Sequence, residues 1–394
     1  MSGILSGIRV LDFGRYIAGP FCAALLADHG AEVIRVEPAS GSDDRYVMPI
    51  TAIGEGALYI QTNRNKKSLT LNLEKPQAVA ILRQLISASD IVVASLGPAA
   101  LRRAGLDYDT LKGIKPDIIL TTISAFDPAG PNRNAPGFDG TGQAYSGGMY
   151  LTGMPGQPFR SAVSYVDYST ALAAAFGTMT ALMARAQTGH GQHVQAALVN
   201  TALTMTNPML MEEASGARSR SAMGNRSPIS GPSDLFPTLD GWILVQVAGQ
   251  NMFERWCKLM HTEEFIKDRR FESDLSRGEN GQVLSEVMMR WCESKTTRES
   301  LDTLRTSRIP GCEVLSPAQV VNQARDSGNG LFEWQNRAGL TCAVPVLRAP
   351  VSLSTVSMAP AKPAPYLGEH TAEVLRTLGF SDDDVATLMR DGVV

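Results

Sequence analysis

One carboxylate in the chain, Asp167, stands where a covalent nucleophile would be well placed. It comes just before a segment rich in alanine and glycine, from Ala171 to Ala181, which predicts a helix that packs closely against its neighbours. The unpaired N–H groups and the positive dipole end at the start of such a helix would keep Asp167 ionised, as a nucleophile requires. An aspartate before a helix is also a common N-cap, and the two roles are compatible.

Other residue patterns with known chemistry are weaker. His190 and His193 have the H-x-x-H spacing of some metal sites, but they lie in a glycine-rich turn with no third ligand nearby. No Ser-His-Asp constellation is visible, and no Gly-x-Ser-x-Gly elbow joins a predicted strand to a predicted helix. We therefore expect no metal site and no serine hydrolase chemistry.

A nucleotide site of the NAD type is also disfavoured. Gly14 and Gly19 follow the first predicted strand, but they do not form G-x-G-x-x-G, and Pro20 lacks the backbone N–H that a pyrophosphate would use. Glu37 ends the second predicted strand. An acidic residue at that position can bind the ribose of a nucleotide, so this role remains an alternative for Glu37.

Two short basic runs allow two interpretations. Arg64, Lys66 and Lys67 precede a predicted strand, and Arg102 and Arg103 follow a Gly-Pro turn. Most such runs lie on solvated surfaces, whereas a cofactor with several phosphates would be attracted by these cations.

The composition is that of a globular protein. The 394 residues are 44% hydrophobic and 19% charged, and the net charge of −3 disfavours nucleic acid or an anionic membrane as a partner. The five cysteines are scattered and form no C-x-x-C pair, as is typical of reduced thiols. No signal-peptide pattern and no membrane-spanning apolar run is evident, so we expect a cytoplasmic protein.

The elements that must position Asp167 follow an α/β pattern. Apolar runs at 8–13 and 31–37 around a helical segment at 21–29 predict a βαβ unit with parallel strands and a right-handed crossover. Further strands are predicted at 67–73, 90–94, 117–123 and 193–198, with a helix at 76–88 and the Asp167 helix continuing to 185. The Gly/Pro-rich stretch at 127–156 predicts irregular loops around a site.

The later part of the chain predicts a smaller α+β region. A Gly/Pro/Ser-rich linker at 224–232 is followed by a predicted strand at 241–247 and helices at 251–260, 283–294 and 298–306. A final helix at 371–377 belongs to a segment that docks back onto the first part.

Separate motifs in order along nearly the whole chain resemble the family III CoA-transferases, the CaiB/BaiF family, which includes formyl-CoA and carnitine CoA-transferases. Residues 11–20 read LDFGRYIAGP and residues 25–37 read LLADHGAEVIRVE. The other matching motifs lie at 65–71, 97–106, 137–139, 188–192, 224–225, 309–312 and 367–371.

The resemblance implies a large Rossmann-like domain from residues 1–224 and 321–394, a small α+β domain from 225–320, and an interlocked homodimer. It also implies that Asp167 attacks an acyl-CoA thioester, giving an aspartyl acyl anhydride and then an aspartyl-CoA thioester. Coenzyme A and acyl-CoA would be substrates, and no permanently bound cofactor or metal is required. By resemblance, the CoA contacts are Ile17, Ala18, Leu71, Asn72, Gly97, Arg103, Phe138 and Asp139, with Arg103 as the phosphate partner.

Departures from the family pattern narrow the range of expected substrates and reactions. Ile17 replaces a glutamine and Pro38 an arginine of formyl-CoA transferase, and residues 227–232 replace its glycine-rich lid, which disfavours formyl or oxalate specificity. The α-methylacyl-CoA racemases of the same family use a histidine where this chain has Phe138, which cannot move a proton. Racemase activity is the alternative, and a catalytically idle CoA-binding protein is a third hypothesis.

The favoured hypothesis is a transferase that moves CoA from an acyl-CoA such as succinyl-CoA to a small organic acid. Arg15, Arg160 and Arg226 are candidate anchors for a second carboxylate on a dicarboxylic substrate, although each is equally suited to a structural ion pair.

Overall fold

The structure of the protein is a computed structural model that describes residues 3–328 and 330–394. The strands are β1 (Arg9–Phe13), β2 (Glu32–Glu37), β3 (Lys66–Thr70), β4 (Ile91–Ala94), β5 (Ile119–Ser124), β6 (Gly153–Met154), β7 (Gln157–Pro158), β8 (His193–Ala197), β9 (Ser233–Pro237), β10 (Trp242–Gln246), β11 (Gly311–Glu313), β12 (Phe332–Gln335) and β13 (Val344–Leu347). The α-helices are α1 (Ala18–Asp28), α2 (Ala57–Thr62), α3 (Pro76–Ser87), α4 (Pro98–Arg103), α5 (Tyr108–Ile114), α6 (Asp139–Tyr145), α7 (Gly148–Leu151), α8 (Tyr165–Thr188), α9 (Leu198–Ala214), α10 (Gln250–Met260), α11 (Asp274–Glu279), α12 (Gly281–Cys292), α13 (Thr297–Thr306), α14 (Pro317–Ser327), α15 (Thr371–Thr377) and α16 (Asp382–Arg390).

A parallel six-stranded sheet organises the first compact unit, which comprises Met1–Gly147, Ser161–Leu210 and Asn329–Val394. Its order is β3-β2-β1-β4-β5-β8, and all neighbouring strands run parallel. The predicted βαβ unit of β1, α1 and β2 is confirmed. Because the strand order reverses beside β1, a crevice is expected where β1 and β4 end.

Helices cover both faces of this sheet, which is why β4 is a continuous apolar run and why even the polar strand residues Asp12 and Arg35 are buried. Side chains alternate between the faces, so that Val10 joins one apolar cluster and Leu11 the other. On the face of Val10, Ala171 and Ala174 of α8 share their cluster with Phe21 of α1. The small side chains of α8 thus serve close packing, as predicted.

The second compact unit comprises Gly148–Arg160 and Met211–Gly328. An antiparallel sheet of order β11-β10-β9 packs with α10, α12 and α13 around a core that includes Phe236, Trp256 and Met288. The strand and three helices predicted in this part of the chain are confirmed, with small shifts of their ends.

Two sequence-based expectations about local structure are wrong. The stretch 127–156 is not wholly irregular, because it contains α6, α7 and β6. The helix that carries Asp167 begins at Tyr165, two residues before that aspartate, and ends at Thr188, where Gly189 adopts a left-handed backbone with φ of 71°. No helix in the described parts of the chain is long and apolar enough to cross a membrane.

Candidate active site

A cleft of about 510 Å³ opens where β1, β4 and β5 end, at the crevice expected for this strand order. Its walls come from residues 15–18 after β1, 95–103 around the start of α4, 123–125 at the end of β5, the loop 133–138, Asp167 and Leu198. The structure brings Asp167 together here with five of the predicted CoA contacts, which are Ile17, Ala18, Gly97, Arg103 and Phe138.

The turn after β1 shapes one wall of the cleft. A side chain at position 14 would place its Cβ 2.7 Å from Asp12 Oδ1 and from the ring of Pro20, so glycine is required there. Tyr16 takes a left-handed backbone with φ of 61°, and its N–H donates to Asp44 Oδ2 over 3.2 Å. The N–H of Arg15 donates to Ser95 Oγ over 2.7 Å, which ties the turn to the segment after β4.

An aromatic pair stands beside this turn. The rings of Tyr16 and Phe138 meet edge to face, with 5.4 Å between their centroids. Phe138 is 62% exposed, so its ring leaves most of its surface open, and both residues line the cleft.

Asp167 is the third residue of α8 and is 9% exposed. Burial, and then the negative charge of Asp139, raises the pKa of Asp167 to about 7. Among the described residues, no donor forms a hydrogen bond with its carboxylate. The expectation of an N-cap held ionised by the helix start is therefore wrong, because Ser164 occupies the cap position and another side chain takes the N–H groups.

That other side chain is Asp139, the first residue of α6. Its Oδ1 accepts from the N–H of Val166 over 2.8 Å and from the N–H of Asp167 over 3.1 Å. The Gln143 amide donates to Oδ2 of Asp139, and Gln143 Oε1 accepts from the N–H of Ser161 over 3.0 Å. We call Asp139, Gln143 and these three N–H groups the α8 clamp.

Close backbone approach makes the clamp geometrically feasible. A Cβ added at Gly142 would lie 2.7 Å from the Val166 side chain, so α6 and α8 pack at a distance that glycine permits. Asp139 is 5% exposed and is not among the residues that line the cleft. The sequence interpretation missed the clamp and Gln143, since no local pattern links residues 28 positions apart.

Four arginines, Arg15, Arg102, Arg103 and Arg133, line the same cleft, and we call them the cleft arginines. All four are exposed, and none forms a salt bridge within the described residues. Arg133 was not singled out from the sequence because it lies in the Gly/Pro-rich stretch with no basic neighbours. Free guanidinium groups suit phosphate or carboxylate ligands.

A neighbouring cleft of about 540 Å³ holds two further predicted CoA contacts, Leu71 and Asn72. It shares Arg15 and Leu96 with the Asp167 cleft. Leu71 is 2% exposed, and Asn72 Oδ1 accepts from the N–H of Glu74 over 3.1 Å.

The basic run at the start of β3 is held in ion pairs rather than solvated or aimed at a phosphate, which corrects both interpretations made for it. Lys67, the most exposed of its cations, pairs with Glu32 and Glu373. Arg64 is fully buried and donates to both oxygens of Asp28, with a shortest distance of 2.6 Å. Lys66 is also buried and donates to Asp12 Oδ2 over 2.6 Å. Burial lowers the pKa of Lys66 to about 8, against the opposing attraction of Asp12.

Glu37 is not placed to bind a ribose, because both of its oxygens accept from Arg45. The histidines of the H-x-x-H spacing also separate. His190 is exposed in its turn, while His193 Nε2 pairs with Thr122 Oγ1 over 2.9 Å and its ring stacks on Tyr108. The described residues contain no group of three or more His, Cys, Asp or Glu side chains that could hold a metal ion.

The three candidate carboxylate anchors fall in different places. Arg15 lines the Asp167 cleft, whereas Arg160 and Arg226 belong to the second compact unit. The segment 227–232, suggested as the counterpart of a lid, also lies in that unit.

Comparison with known proteins gives the family. Residues 5–371 match the CoA-transferase family III. The succinate–glutarate CoA-transferase of Agrobacterium fabrum is 30% identical over 387 residues, which cover 95% of each chain. The beta subunit of the succinyl-CoA–L-malate CoA-transferase of Chloroflexus aurantiacus is 31% identical over 411 residues, covering 99% of this chain and 98% of that protein.

A solved structure agrees with these matches. A CaiB/BaiF family protein from Brucella suis superposes with a TM-score of 0.83 at 28% identity, covering 96% of this chain and 100% of that chain. The chain therefore belongs to CoA-transferase family III, the CaiB/BaiF family, and is an enzyme of the CoA-transferase class.

Proposed function

We propose that this enzyme transfers CoA from an acyl-CoA to a carboxylic acid through covalent intermediates on Asp167. A carboxylate oxygen of Asp167 attacks the thioester carbonyl, the C–S bond breaks, and CoA leaves as the thiolate, giving a mixed anhydride. The thiolate then attacks Cγ of Asp167 and expels the first acid, which leaves an aspartyl-CoA thioester. The incoming carboxylate reverses both steps and regenerates free Asp167.

The observation that carries this proposal is that Asp167 is the one carboxylate among the described residues lining the cleft, where it stands with the four cleft arginines. Its raised pKa, about 7, makes its anion more basic and more nucleophilic than an ordinary carboxylate. Both the anion and the acid are populated near neutral pH, so the nucleophilic form is available.

For coenzyme A we propose the contact set Ile17, Ala18, Leu71, Asn72, Gly97, Arg103, Phe138 and Asp139, and we add Arg133 as a second cation for the phosphates, because it lines the same cleft. The exposed, unpaired guanidinium of Arg103 supports this role. For Asp139 the proposal is limited to its backbone, because its carboxylate is taken up by the α8 clamp.

Arg103→Ala should raise KM for the acyl-CoA about tenfold with little change in kcat, which corresponds to about 1.4 kcal/mol of binding free energy. The effect should shrink at high ionic strength, because an exposed charge contact is screened by salt. Arg83→Ala, which removes an exposed arginine of α3 that does not line the cleft, is the matched control. Equal KM values for the two variants at low salt would argue against the phosphate role.

We propose succinyl-CoA as donor and a small dicarboxylic acid as acceptor. The names of the relatives support this choice, since they include succinate–glutarate and succinyl-CoA–L-malate CoA-transferases. Arg15 is the proposed anchor for the distal carboxylate, because it lines the cleft and forms no ion pair in the described chain. Arg160 and Arg226 stay predicted anchors in the second unit.

The proposed assembly is an interlocked homodimer. Each chain would contribute a Rossmann-like large domain from residues 1–224 and 321–394 and a small domain from 225–320. Sedimentation equilibrium tests the dimer, and a monomer at micromolar concentration would count against it.

The decisive experiment traps the enzyme intermediate. Wild-type protein is mixed with succinyl-CoA and other acyl-CoAs in the presence of hydroxylamine, and its peptides are analysed by mass spectrometry. We expect a hydroxamate on Asp167, none on Asp167→Asn, and a loss of CoA exchange of at least about a thousandfold in that variant.

The same samples separate the alternatives. Retained CoA exchange in Asp167→Asn would remove the assigned nucleophile. If no adduct formed while the α-proton of a 2-methylacyl-CoA exchanged with deuterium, the racemase hypothesis would replace the transferase, although no histidine lines the described cleft to act as the second base.

A further inference from the structure

We propose that Asp139 is a positioning residue for the transfer reaction: its carboxylate accepts the N–H groups of Val166 and Asp167, which fixes the start of α8, and it sets a negative charge beside Asp167 in place of the donors that would stabilise the Asp167 anion. This inference rests on the proposed role of Asp167 as the nucleophile. It assigns to the Asp139 side chain a function other than CoA contact.

The hydrogen bonds of the α8 clamp carry the geometric part of this inference. Helices leave their first N–H groups without partners, and a carboxylate placed there is normally stabilised by them. In this chain the acceptor comes from α6, with distances of 2.8 Å to the N–H of Val166 and 3.1 Å to the N–H of Asp167. Asp167 therefore sits within the first turn of a long helix without receiving the hydrogen bonds of that turn.

Gln143 makes the clamp rigid. It is 1% exposed, its amide donates to Asp139, and its carbonyl oxygen accepts from the N–H of Ser161 over 3.0 Å. The segment that leads into α8 and the first turn of α8 are thus both bound to α6. Asp167 is held by its backbone while its carboxylate stays unbonded toward the cleft.

Electrostatics adds to the geometry. The pKa of Asp167 is raised to about 7, first by burial and then by the charge of Asp139. Other ionisable groups on the surrounding elements include Tyr165 and Tyr168 on α8, Asp28 on α1, Tyr145 on α6, His193 on β8, Tyr16 and the cleft arginines. Asp28 is neutralised by Arg64, and none of these other groups contributes to the shift of Asp167.

The clamp has a chemical consequence for the mixed anhydride. The anhydride has two carbonyl carbons, and a nucleophile expels more readily the carboxylate whose acid has the lower pKa. An ordinary substrate carboxylic acid has a pKa near that of a free glutamate, roughly 4.3, well below that of Asp167. CoA thiolate attack at Cγ of Asp167, which releases the substrate acid, is thereby favoured over return to the original acyl-CoA.

Asp139→Asn tests this inference, because the amide oxygen can still accept both N–H groups while the charge is removed. The acid limb of the profile of kcat/KM for the acyl-CoA against pH, which reports the free enzyme, should move to lower pH by an amount of the order of one unit. Asp384→Asn is the control, since Asp384 is an exposed carboxylate that accepts hydrogen bonds at the start of α16. We expect its acid limb to coincide with that of the wild type.

A second variant covers the case in which Asp139→Asn folds poorly. In Asp139→Asn, the NH₂ group of the introduced amide faces the NH₂ group of Gln143. Gln143 cannot turn over to relieve this, because its oxygen accepts from the N–H of Ser161. Adding Gln143→Glu restores every hydrogen bond, since the introduced carboxylate accepts from both neighbours, and moves the negative charge four residues along α6, from position 139 to position 143. The acid limb of this double variant should lie between those of the wild type and Asp139→Asn.

A readout independent of turnover separates this inference from the proposed function. The carboxylic acid C=O infrared band, taken as the difference between each protein and its Asp167→Asn counterpart, titrates Asp167 directly. A lower midpoint in Asp139→Asn supports the inference even if no hydroxamate forms on Asp167. An unchanged midpoint and an unchanged acid limb in folded Asp139→Asn would overturn it, even if Asp167 is trapped normally.

Discussion

Two regions of the first unit bury carboxylates in opposite ways. Glu37 and Asp167 are 3% and 9% exposed, yet the pKa of Glu37 is lowered whereas that of Asp167 is raised to about 7. Burial pushes both pKa values upward, so the difference comes from the partners. A carboxylate used for structure is surrounded by donors, and the carboxylate proposed for catalysis is deprived of them.

The region of Glu37 is a buried network that we call the ionic cluster, formed by Arg35, Glu37, Asp44, Arg45, Glu55 and Arg337. Arg45 donates to both oxygens of Glu37, over 2.8 and 2.5 Å. Although burial is the largest single influence on Glu37, the hydrogen bond from Arg45 and the charges of Arg35 and Arg45 outweigh it and lower the pKa.

The ionic cluster also shapes the cleft. Arg35 donates to both oxygens of Asp44, over 2.8 and 3.0 Å, and to the carbonyl oxygen of Gly14 over 3.3 Å. Asp44 in turn accepts from the N–H of Tyr16, which holds the left-handed turn after β1 in place. The ionic cluster therefore supports one wall of the cleft that contains Asp167.

The largest expected effect comes from breaking the ionic cluster. Arg45→Met leaves Glu37 buried without its two main hydrogen bonds, and it also removes the contact of Arg45 with Glu55 and its stacking 4.1 Å from the Tyr59 ring. We expect a loss of about 5 kcal/mol in the free energy of unfolding, at the upper end for a buried ion pair. Urea denaturation at pH 7 measures it.

A matched surface pair and a double variant sharpen this prediction. Arg9 pairs with Glu32 over 2.6 Å with both side chains partly exposed, so Arg9→Ala should cost no more than about 1 kcal/mol. Combining Arg45→Met with Glu37→Leu removes the buried carboxylate that has lost its main donor and should recover part of the loss. If the double variant were no more stable than Arg45→Met alone, the buried Glu37 charge left without Arg45 would not be the cause.

The sequence predicted the frame of the first unit well for a physical reason. The strands β1, β2 and β4 are short and rich in valine, isoleucine and leucine, and α1 ends just before Gly30, so local pattern and tertiary structure agree. The helix α6 was missed because its seven residues include two glycines and have weak helix propensity. Its stability comes from contact with α8 and from the bonds of Asp139.

The candidate site was only partly predictable, because its electrostatics depend on partners far away in the sequence. Asp167 was recognised from its local setting, but its ionisation was predicted wrongly, since the acceptor that takes the first-turn N–H groups lies 28 residues earlier. The cations Arg64 and Lys66 were assigned to solvent or phosphate, although their partners Asp28 and Asp12 lie 36 and 54 residues earlier. Charge runs carry no signal of such pairing.

A smaller effect is expected at Asp167. Asp167→Asn should stabilise the fold, whereas Arg45→Met should destabilise it. A pKa raised from 3.8 to about 7 means that the native state holds its proton more tightly than the unfolded chain, so the wild type loses stability between about pH 4 and pH 7 as the unfolded state ionises first. At pH 8 the Asn variant should exceed the wild type by up to about 4 kcal/mol in the free energy of unfolding, at 1.36 kcal/mol per unit. Near pH 4 the difference should largely vanish.

Chemical denaturation across this pH range tests this prediction for Asp167→Asn, with Asp384→Asn as the control that should show no such gain at pH 8. A wild type at least as stable as Asp167→Asn at pH 8 would mean that the carboxylate finds a stabilising partner, and the contrast with Glu37 would fail.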